Sequence, residues 1–309
     1  MIQSILVPLD GSTFGEQALP LAMNIARRSG AAIELTHVHK MLDVFYVEVQ
    51  AMGDALEDSL RKQERAYLDG VAQRLRAKDS IKITTSLLEG PVAGEIRKHA
   101  VEMSADLVVL TTHARGALGR FWLGSTADEL IRELPMPVLM VHPTDEKTPA
   151  PTVPTKMLIP LDGTPLAEQI LSPAISLAKL FGAQLDLLKV LRPLLPTSVP
   201  VGMGTFSEVA FHMADDVDKL QKQLEKDAFS YLEQVAEKLR AEGLSVKCHV
   251  VLADQPGVGV LKEAQLAGAD MIAMEIHGKR GLSRLFLGSV ADKVIRGATV
   301  PVLMHRPTH

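Results

Sequence analysis

Short apolar runs alternate with longer amphipathic stretches along the whole chain. Residues 2–9 (IQSILVPL) are an apolar run that ends in an Asp-Gly-Ser turn, and residues 32–39 (AIELTHVH) are a second run. Between them the pattern predicts a helix that ends at about Ser29, because Gly30 is a common helix terminator. Strands that alternate with helices predict right-handed βαβ units, and therefore a parallel sheet with helices on both faces.

The same alternation continues to the end of the chain. Thr13 and Glu16 have capping-box spacing, so Ser12 or Thr13 is expected to cap the first helix. A long amphipathic helix is predicted at about 54–77. The further predicted strands are 81–88, 106–111, 137–141, 245–252, 270–275 and 301–305, and the further predicted helices are about 92–103, 125–133, 214–242, 256–267 and 289–296.

One stretch of this pattern occurs twice. DLVVLTTHARGALGRFWLGSTADELIRELPMPVLMV (106–141) aligns without a gap with DMIAMEIHGKRGLSRLFLGSVADKVIRGATVPVLMH (270–305), and residues 5–17 recur as 157–169. The segment between the copies is rich in Pro and Thr, which is typical of an extended linker. The sequence therefore predicts two tandem domains, at 1–143 and 156–309, joined by a linker at 144–155.

The second copy is longer than the first. The offset between matched residues is 152 at Asp10 and Asp162 but 164 at Tyr67 and Tyr231, which leaves twelve additional residues in the second copy. The Pro- and Gly-rich stretch 191–206 is their expected place, as a mobile loop over the strand tips.

Composition and charge narrow the function classes. A net charge of -4 gives no electrostatic case for binding to nucleic acid or to an anionic membrane, and 4% aromatic residues offer few platforms for stacking on bases. The single cysteine, Cys248, excludes an intrachain disulfide framework and fits a reducing compartment. Since no signal peptide and no membrane-spanning run are recognisable, a cytoplasmic location is expected.

Candidate chemistry lies at the carboxyl ends of the strands, where ligands bind in open parallel sheets. In the first copy these ends are Asp10, Val38 and the 111–126 loop. In the second copy they are Asp162, Val190 and the 275–290 loop. In each loop a Gly-Ser pair opens a helix, and a helix N-terminus attracts anions through its N–H groups and its dipole.

A structural role accounts for the same residues equally simply. Gly124-Ser125 and Gly288-Ser289 also fit a turn followed by a serine cap. Asp10 and Asp162 also fit turn aspartates that cap the following helix. The histidines form none of the common metal motifs, so no metal site is expected. His113 and His277 are expected to order their loops rather than to act as general bases.

The combination of these motifs resembles the universal stress protein family. The motifs are VPLDGS at the first strand, TTHA at the fourth strand, a Gly-Ser pair after nine intervening residues, and PVLMV at the last strand. The resemblance covers nearly the whole chain, as a tandem member with two such domains. It implies two doubly wound parallel α/β sheets with strand order 3-2-1-4-5, of the adenine nucleotide alpha hydrolase type.

For the nucleotide-binding branch of that family, the resemblance implies ATP or AMP, with or without Mg, bound by a G-x-x-G-(x9)-G-[ST] motif. The aspartate after the first strand would meet the adenosine part, and the tip of the second strand would meet the adenine. The implied contact residues are Asp10, Val38, Thr111, His113, Ala114, Arg115, Gly124, Ser125 and Thr126 in the first copy and Asp162, Val190, Glu275, His277, Gly278, Lys279, Gly288, Ser289 and Val290 in the second.

Both copies depart from the motif. In the first copy Thr111 and Ala114 replace the first two glycines, and a Cβ at Ala114 costs about 1 kcal/mol if that position needs a positive φ. In the second copy Gly278 is kept but Glu275 stands at the first position. A carboxylate there repels phosphates if it faces them and matters little if it points away. Basic loop residues (Arg115, Arg120, Lys279, Arg280 and Arg284) favour an anion in both copies.

Three functional hypotheses follow. The first is a cytoplasmic stress-response protein in which adenine nucleotide is a regulatory ligand, with ATP hydrolysis that is at most slow. The second is an interaction scaffold of the stress response that binds no nucleotide. The third and weakest is an adenylyl-transfer enzyme on a related sheet.

The short apolar strands 137–141 and 301–305 are predicted to be sheet edges. Exposed apolar edges pair readily, and the family resemblance implies dimerisation through these strands. The two domains are therefore expected to pair as a pseudo-two-fold unit within one chain, while a homodimer of whole chains is left open.

Overall fold

The computed structural model describes residues 1–40, 50–112, 123–142, 153–194, 208–276 and 287–306. The ten strands in these ranges all belong to one sheet. The strands are β1 (Ser4–Pro8), β2 (Ala32–His39), β3 (Ile83–Glu89), β4 (Leu107–Thr111), β5 (Val138–Val141), β6 (Lys156–Pro160), β7 (Gln184–Leu191), β8 (Val246–Leu252), β9 (Met271–Glu275) and β10 (Val302–His305). The α-helices are α1 (Leu19–Ser29), α2 (Gln50–Arg76), α3 (Val92–Glu102), α4 (Ser125–Glu133), α5 (Pro165–Glu168), α6 (Leu171–Phe181), α7 (Glu208–Ala241), α8 (Pro256–Ala267) and α9 (Ser289–Gly297).

The sheet order is β3-β2-β1-β4-β5-β10-β9-β6-β7-β8. Each half therefore has the order 3-2-1-4-5, and all pairs inside a half are parallel. This confirms the predicted fold class of two tandem doubly wound domains. We call the half with β1–β5 domain 1 and the half with β6–β10 domain 2.

Two apolar cores lie on the two faces of the sheet. The strands are buried on both sides, so neighbouring residues such as Val108 and Val109 of β4 belong to opposite cores. One core includes buried residues of α1, α2, α6 and α7, and we call that side the α1 face. The other includes buried residues of α3, α4, α8 and α9, and we call it the α4 face.

The halves meet where β5 and β10 pair antiparallel, with Leu139 opposite Leu303. These are the two edge strands expected to pair. Matched residues just beyond the strands each contact a backbone carbonyl of a helix in the other half. His142 Nε2 lies 2.7 Å from the carbonyl oxygen of Ile295, and Arg306 Nη1 donates to the carbonyl oxygen of Arg132 at 2.6 Å.

Several element boundaries differ from the prediction. A 3-10 turn, Gly15–Ala18, precedes α1, and of the two expected caps, Ser12 and Thr13, it is Ser12 whose Oγ accepts the N–H of Gly15, at 3.0 Å. The α-helix proper begins at Leu19, next to Pro20, whose fixed φ suits a first turn.

The two long helices begin earlier than expected, at Gln50 rather than about 54 and at Glu208 rather than about 214. Neither added stretch contains a proline, and most of their residues are good or tolerable helix formers. The predicted linker 144–155 lies outside the described residues up to residue 152, and the predicted loop 191–206 does so from residue 195. Within the described ranges, no helix combines the length and the apolar character needed to cross a membrane.

Candidate functional site

The predicted site residues of domain 1 lie at one level of the sheet. β1 has β2 on one side and β4 on the other, and Pro8 pairs with Thr36. Extending that register by two residues puts Asp10 beside Val38 at the carboxyl edge. The register of β1 with β4 puts Thr112 on the other side of Asp10.

Domain 2 repeats this arrangement. Pro160 pairs with Leu188, which puts Asp162 beside Val190, and the pairing of β6 with β9 puts Ile276 on the other side. Val38 and Val190 both pack into the core of the α4 face. The two edges are therefore built alike, and in each of them the second-strand valine stands on the same face as the helix that starts with the Gly-Ser pair.

The aspartates that follow β1 and β6 form matched turns. Asp10 Oδ1 accepts hydrogen bonds from the N–H of Ser12 at 3.0 Å and from its hydroxyl at 2.6 Å. Asp162 Oδ1 accepts the same pair from Thr164, at 2.9 and 2.7 Å. Each hydroxyl in turn accepts a backbone N–H three residues later. The turn role considered from the sequence is therefore present in both domains.

The helices after the fourth strands expose a favourable end for an anion. α4 begins at Ser125 with Gly124 as its N-cap, and α9 begins at Ser289 with Gly288 as its N-cap. The expectation that the serine is the cap is wrong, because it is the first helical residue in each case and the glycine has no side chain to offer. The positive end of the dipole is consequently not covered by an N-cap side chain. Thr126 and Val290 follow, both half-buried.

Glu275 does not face this helix end. Met274 and Ile276 on either side of it pack into the core of the α4 face, so the side chain of Glu275 points to the α1 face. There Glu275 is buried, and its Oε1 lies 2.8 Å from Nδ1 of His305. Of the two alternatives considered from the sequence, the structure therefore shows the carboxylate that points away from the phosphate side.

The corresponding pair in domain 1 is uncharged. Thr111 stands at the position of Glu275 and pairs with Val141, which stands at the position of His305. Thr111 is also buried. The two departures from the first glycine of the motif thus lie on the face of the sheet away from α4 and α9.

Two residues at the strand ends were given no site role from the sequence. His37 Nδ1 donates to the carbonyl oxygen of Leu9 at 2.8 Å, just before the Asp10 turn, and its Nε2 lies 3.5 Å from Glu64. The matched residue in domain 2 is Lys189, whose Nζ lies 4.6 Å from the ring centroid of Tyr231. The signal that could have found them is in the repeat itself, because His and Lys differ at one position of otherwise similar strand ends.

A carboxylate orients the aromatic partner of Lys189. The hydroxyl of Tyr231 donates to Oε1 of Glu168 at 2.8 Å. Burial, together with this bond, raises the pKa of Tyr231 above its ordinary value, so the phenol stays protonated and remains a donor.

The remaining predicted site residues lie outside the described residues. They are His113, Ala114, Arg115, His277, Gly278 and Lys279. Grooves of about 370 to 450 Å³ occur elsewhere among the described residues, and no predicted site residue lines them. In the same described part of the chain, no group of three His, Cys, Asp or Glu side chains is arranged to hold a metal ion.

Comparisons with known proteins agree with this architecture. The model of the universal stress protein family matches residues 1–142 and again residues 154–306. A universal stress protein of Mycolicibacterium smegmatis is 30% identical over 328 residues, which cover 99% of this chain and 100% of that protein. Universal stress protein Rv2005c of Mycobacterium tuberculosis is 28% identical over 246 residues, covering 77% of this chain and 71% of that protein.

A solved structure shares the fold of the whole chain. The universal stress protein from Archaeoglobus fulgidus superposes with a TM-score of 0.68 at 20% identity, covering 98% of this chain and 96% of that chain. The two matched segments, the full-length relative and the paired 3-2-1-4-5 sheets lead to one conclusion: the chain belongs to the universal stress protein family, as a tandem member with two domains.

Proposed function

We propose that this protein is a stress-response protein that binds an adenine nucleotide, ATP or AMP, as a regulatory ligand at the carboxyl edge of each half-sheet. The observation that carries the proposal is the occurrence, at one edge of each half-sheet, of an aspartate turn and a helix N-terminus that no N-cap side chain covers. In domain 1 these are Asp10 and the Gly124-Ser125 start of α4, with Val38 on the same face. Domain 2 has the same parts in Asp162 and Gly288-Ser289.

Each part suits one portion of such a ligand. A helix N-terminus offers N–H groups and a positive dipole to phosphates. A carboxylate accepts hydrogen bonds from ribose hydroxyls, and the valine at the second strand end gives the adenine an apolar surface. The loops that would complete the site, with Ala114, Arg115, Gly278 and Lys279, are proposed to contact the phosphates. Mg is proposed to accompany ATP through the phosphates.

We further propose that the working unit is the pseudo-dimer within one chain. Its domains are 1–143 and 156–309, with 144–155 as linker, and its location is the cytoplasm. ATP turnover is expected to stay below roughly one per second, which is where the range of dedicated enzymes begins.

The first test is to purify the protein without added nucleotide, denature it and identify released nucleotide by mass spectrometry, followed by titration calorimetry with ATP and Mg. We expect one or two nucleotides per chain. Asp10→Ala and Asp162→Ala should each weaken binding to one domain about tenfold or more, because a charge-assisted hydrogen bond to the ligand is lost. A protein that is empty and does not bind added ATP would instead favour the interaction scaffold.

A further inference from the structure

A groove of about 450 Å³ lies where the two domains meet, on the α1 face of the sheet. Its domain 1 side is formed by the amino ends of β1, β4 and β5, and its domain 2 side by β10 and the first turns of α6. Much of the lining is apolar, and the described apolar residues include Ile2, Leu107, Pro137, Pro173, Leu177 and Leu303. A volume of this size suits a small molecule.

One directed polar group reaches this groove from β10. His305 lines the groove, and its Nδ1 lies 2.8 Å from Oε1 of Glu275, whose side chain is 1% exposed. A carboxylate only accepts hydrogen bonds, so Nδ1 carries the proton and Nε2 of the neutral ring is an acceptor. The buried carboxylate therefore fixes both the orientation and the tautomer of the imidazole.

Several other polar groups at the groove are already bonded. Oδ2 of Asp106 accepts the N–H groups of Gln3 and Ser4, at 2.7 and 3.1 Å. The hydroxyl of Ser176 donates to the carbonyl oxygen of Ser172 at 3.1 Å, within α6. His305 consequently presents an acceptor that is fixed in direction and open to a ligand.

The charges around the groove favour a ligand that is neutral. Asp106 and the Glu275 carboxylate behind His305 are both negative, which disfavours an anion at this place. Met1 also lines the groove, but it is fully exposed, so water screens its amino group. A cation would lose its hydration against the leucine and proline walls, which is costly. The lining therefore suits an uncharged molecule with an apolar body and a hydrogen-bond donor.

The matched positions of domain 1 do not repeat this acceptor. Thr111 and Val141 stand there in place of Glu275 and His305. A valine offers no hydrogen bond to a ligand. The directed acceptor thus belongs to one half of a pseudo-symmetric junction.

We propose that this groove binds a small phenol, whose ring lies between the apolar walls and whose hydroxyl donates to Nε2 of His305. A phenol ring is flat and apolar, as walls of leucine and proline require, and its hydroxyl supplies the donor that Nε2 needs. The inference does not rest on the proposed nucleotide site, because that site lies on the α4 face and the groove lies on the α1 face.

The test compares p-ethylphenol with p-ethylfluorobenzene, in which a fluorine that cannot donate replaces the hydroxyl. Calorimetry is done on the full chain with excess ATP and Mg, which compete for any adenine site. We expect the wild type to prefer the phenol. The double change Glu275→Thr with His305→Val copies domain 1 and removes the acceptor. It should lower the ratio of the two affinities, phenol over fluorobenzene, about tenfold or more, the size of one hydrogen bond.

A second pair of variants tests the groove while the imidazole and its carboxylate stay intact. Ser176→Phe fills the groove from the exposed side of α6 and should weaken both ligands about tenfold or more. The matched control is Asn24→Phe, at the same position of α1, which should change neither affinity. Circular dichroism verifies the fold of each variant. A wild type that does not bind the phenol, an unchanged ratio in the double variant, or equal losses in Ser176→Phe and Asn24→Phe would overturn the site.

Discussion

At the scale of single residues, His142 links the domain junction to pH. Burial lowers the pKa of His142, although the carbonyl oxygens of Ile295 and Val300 favour its protonated form. The unfolded chain therefore takes up a proton near the ordinary histidine pKa of about 6.5 while the folded chain resists it. The stability that this residue contributes is complete above that pH and is lost as the pH falls.

We expect the free energy of unfolding to drop between pH 7.5 and pH 5.5, with on the order of 1 kcal/mol of the loss due to His142. Urea denaturation of the wild type and of His142→Gln at the two pH values isolates this share, because the variant lacks the titration. Arg306→Met is the matched control, since the guanidinium stays charged throughout and its loss should cost the same at both pH values. An identical pH dependence in wild type and His142→Gln would contradict the assignment.

At the scale of elements, the pair of β9 and β10 carries a buried contact between a carboxylate and an imidazole that the pair of β4 and β5 lacks. Glu275 is buried with His305 as its partner, whereas Thr111 and Val141 fill the same positions in domain 1. Removing one partner of a buried ion pair costs about 3 kcal/mol, while replacing both by apolar or neutral groups of suitable size is often nearly neutral.

His305→Ala alone should therefore lower the free energy of unfolding by about 3 kcal/mol. The double change Glu275→Thr with His305→Val copies domain 1 and should recover most of that loss. Urea denaturation measures both, and nucleotide affinity of the double variant should not change because the carboxylate lies on the face away from α9. A double variant as unstable as the sum of its single changes would show that the neutral pair does not fit domain 2.

The elements also show what the sequence could and could not predict. Alternation and the repeat were enough for two tandem parallel α/β domains, because apolar runs of this kind are buried on both faces of a parallel sheet, while the strand order 3-2-1-4-5 was implied by the family resemblance. The start of α1 was missed because the hydroxyl of Ser12 and the following 3-10 turn depend on local geometry. The place of Glu275 was left open because its ion pair joins residues of two strands far apart in sequence. Lys189 was missed for a similar reason, since its position depends on the aromatic ring of α7.

At the scale of the whole molecule, one continuous sheet depends on a single antiparallel pair at its centre. Val138, Leu139, Met140 and Val141 are 0 to 2% exposed, and three of them pair directly with β10. Cutting the chain at the linker would leave this apolar edge open to water in one half and β10 open in the other. An unpaired edge of that kind is a template for another copy of itself.

Separate halves, residues 1–143 and 156–309, are therefore expected to self-associate, whereas the intact chain keeps the same edges paired within itself. In a dimer of the first half, His142 would meet the carbonyls of Ile131 and Met136, which match its present partners Ile295 and Val300. Sedimentation equilibrium of each half, with circular dichroism to verify folding, measures the outcome. Mixing the halves should produce a complex with the mass of the intact chain, because β5 and β10 already fit each other. Halves that fold and remain monomeric would mean that the central pair forms only because the linker holds its strands together.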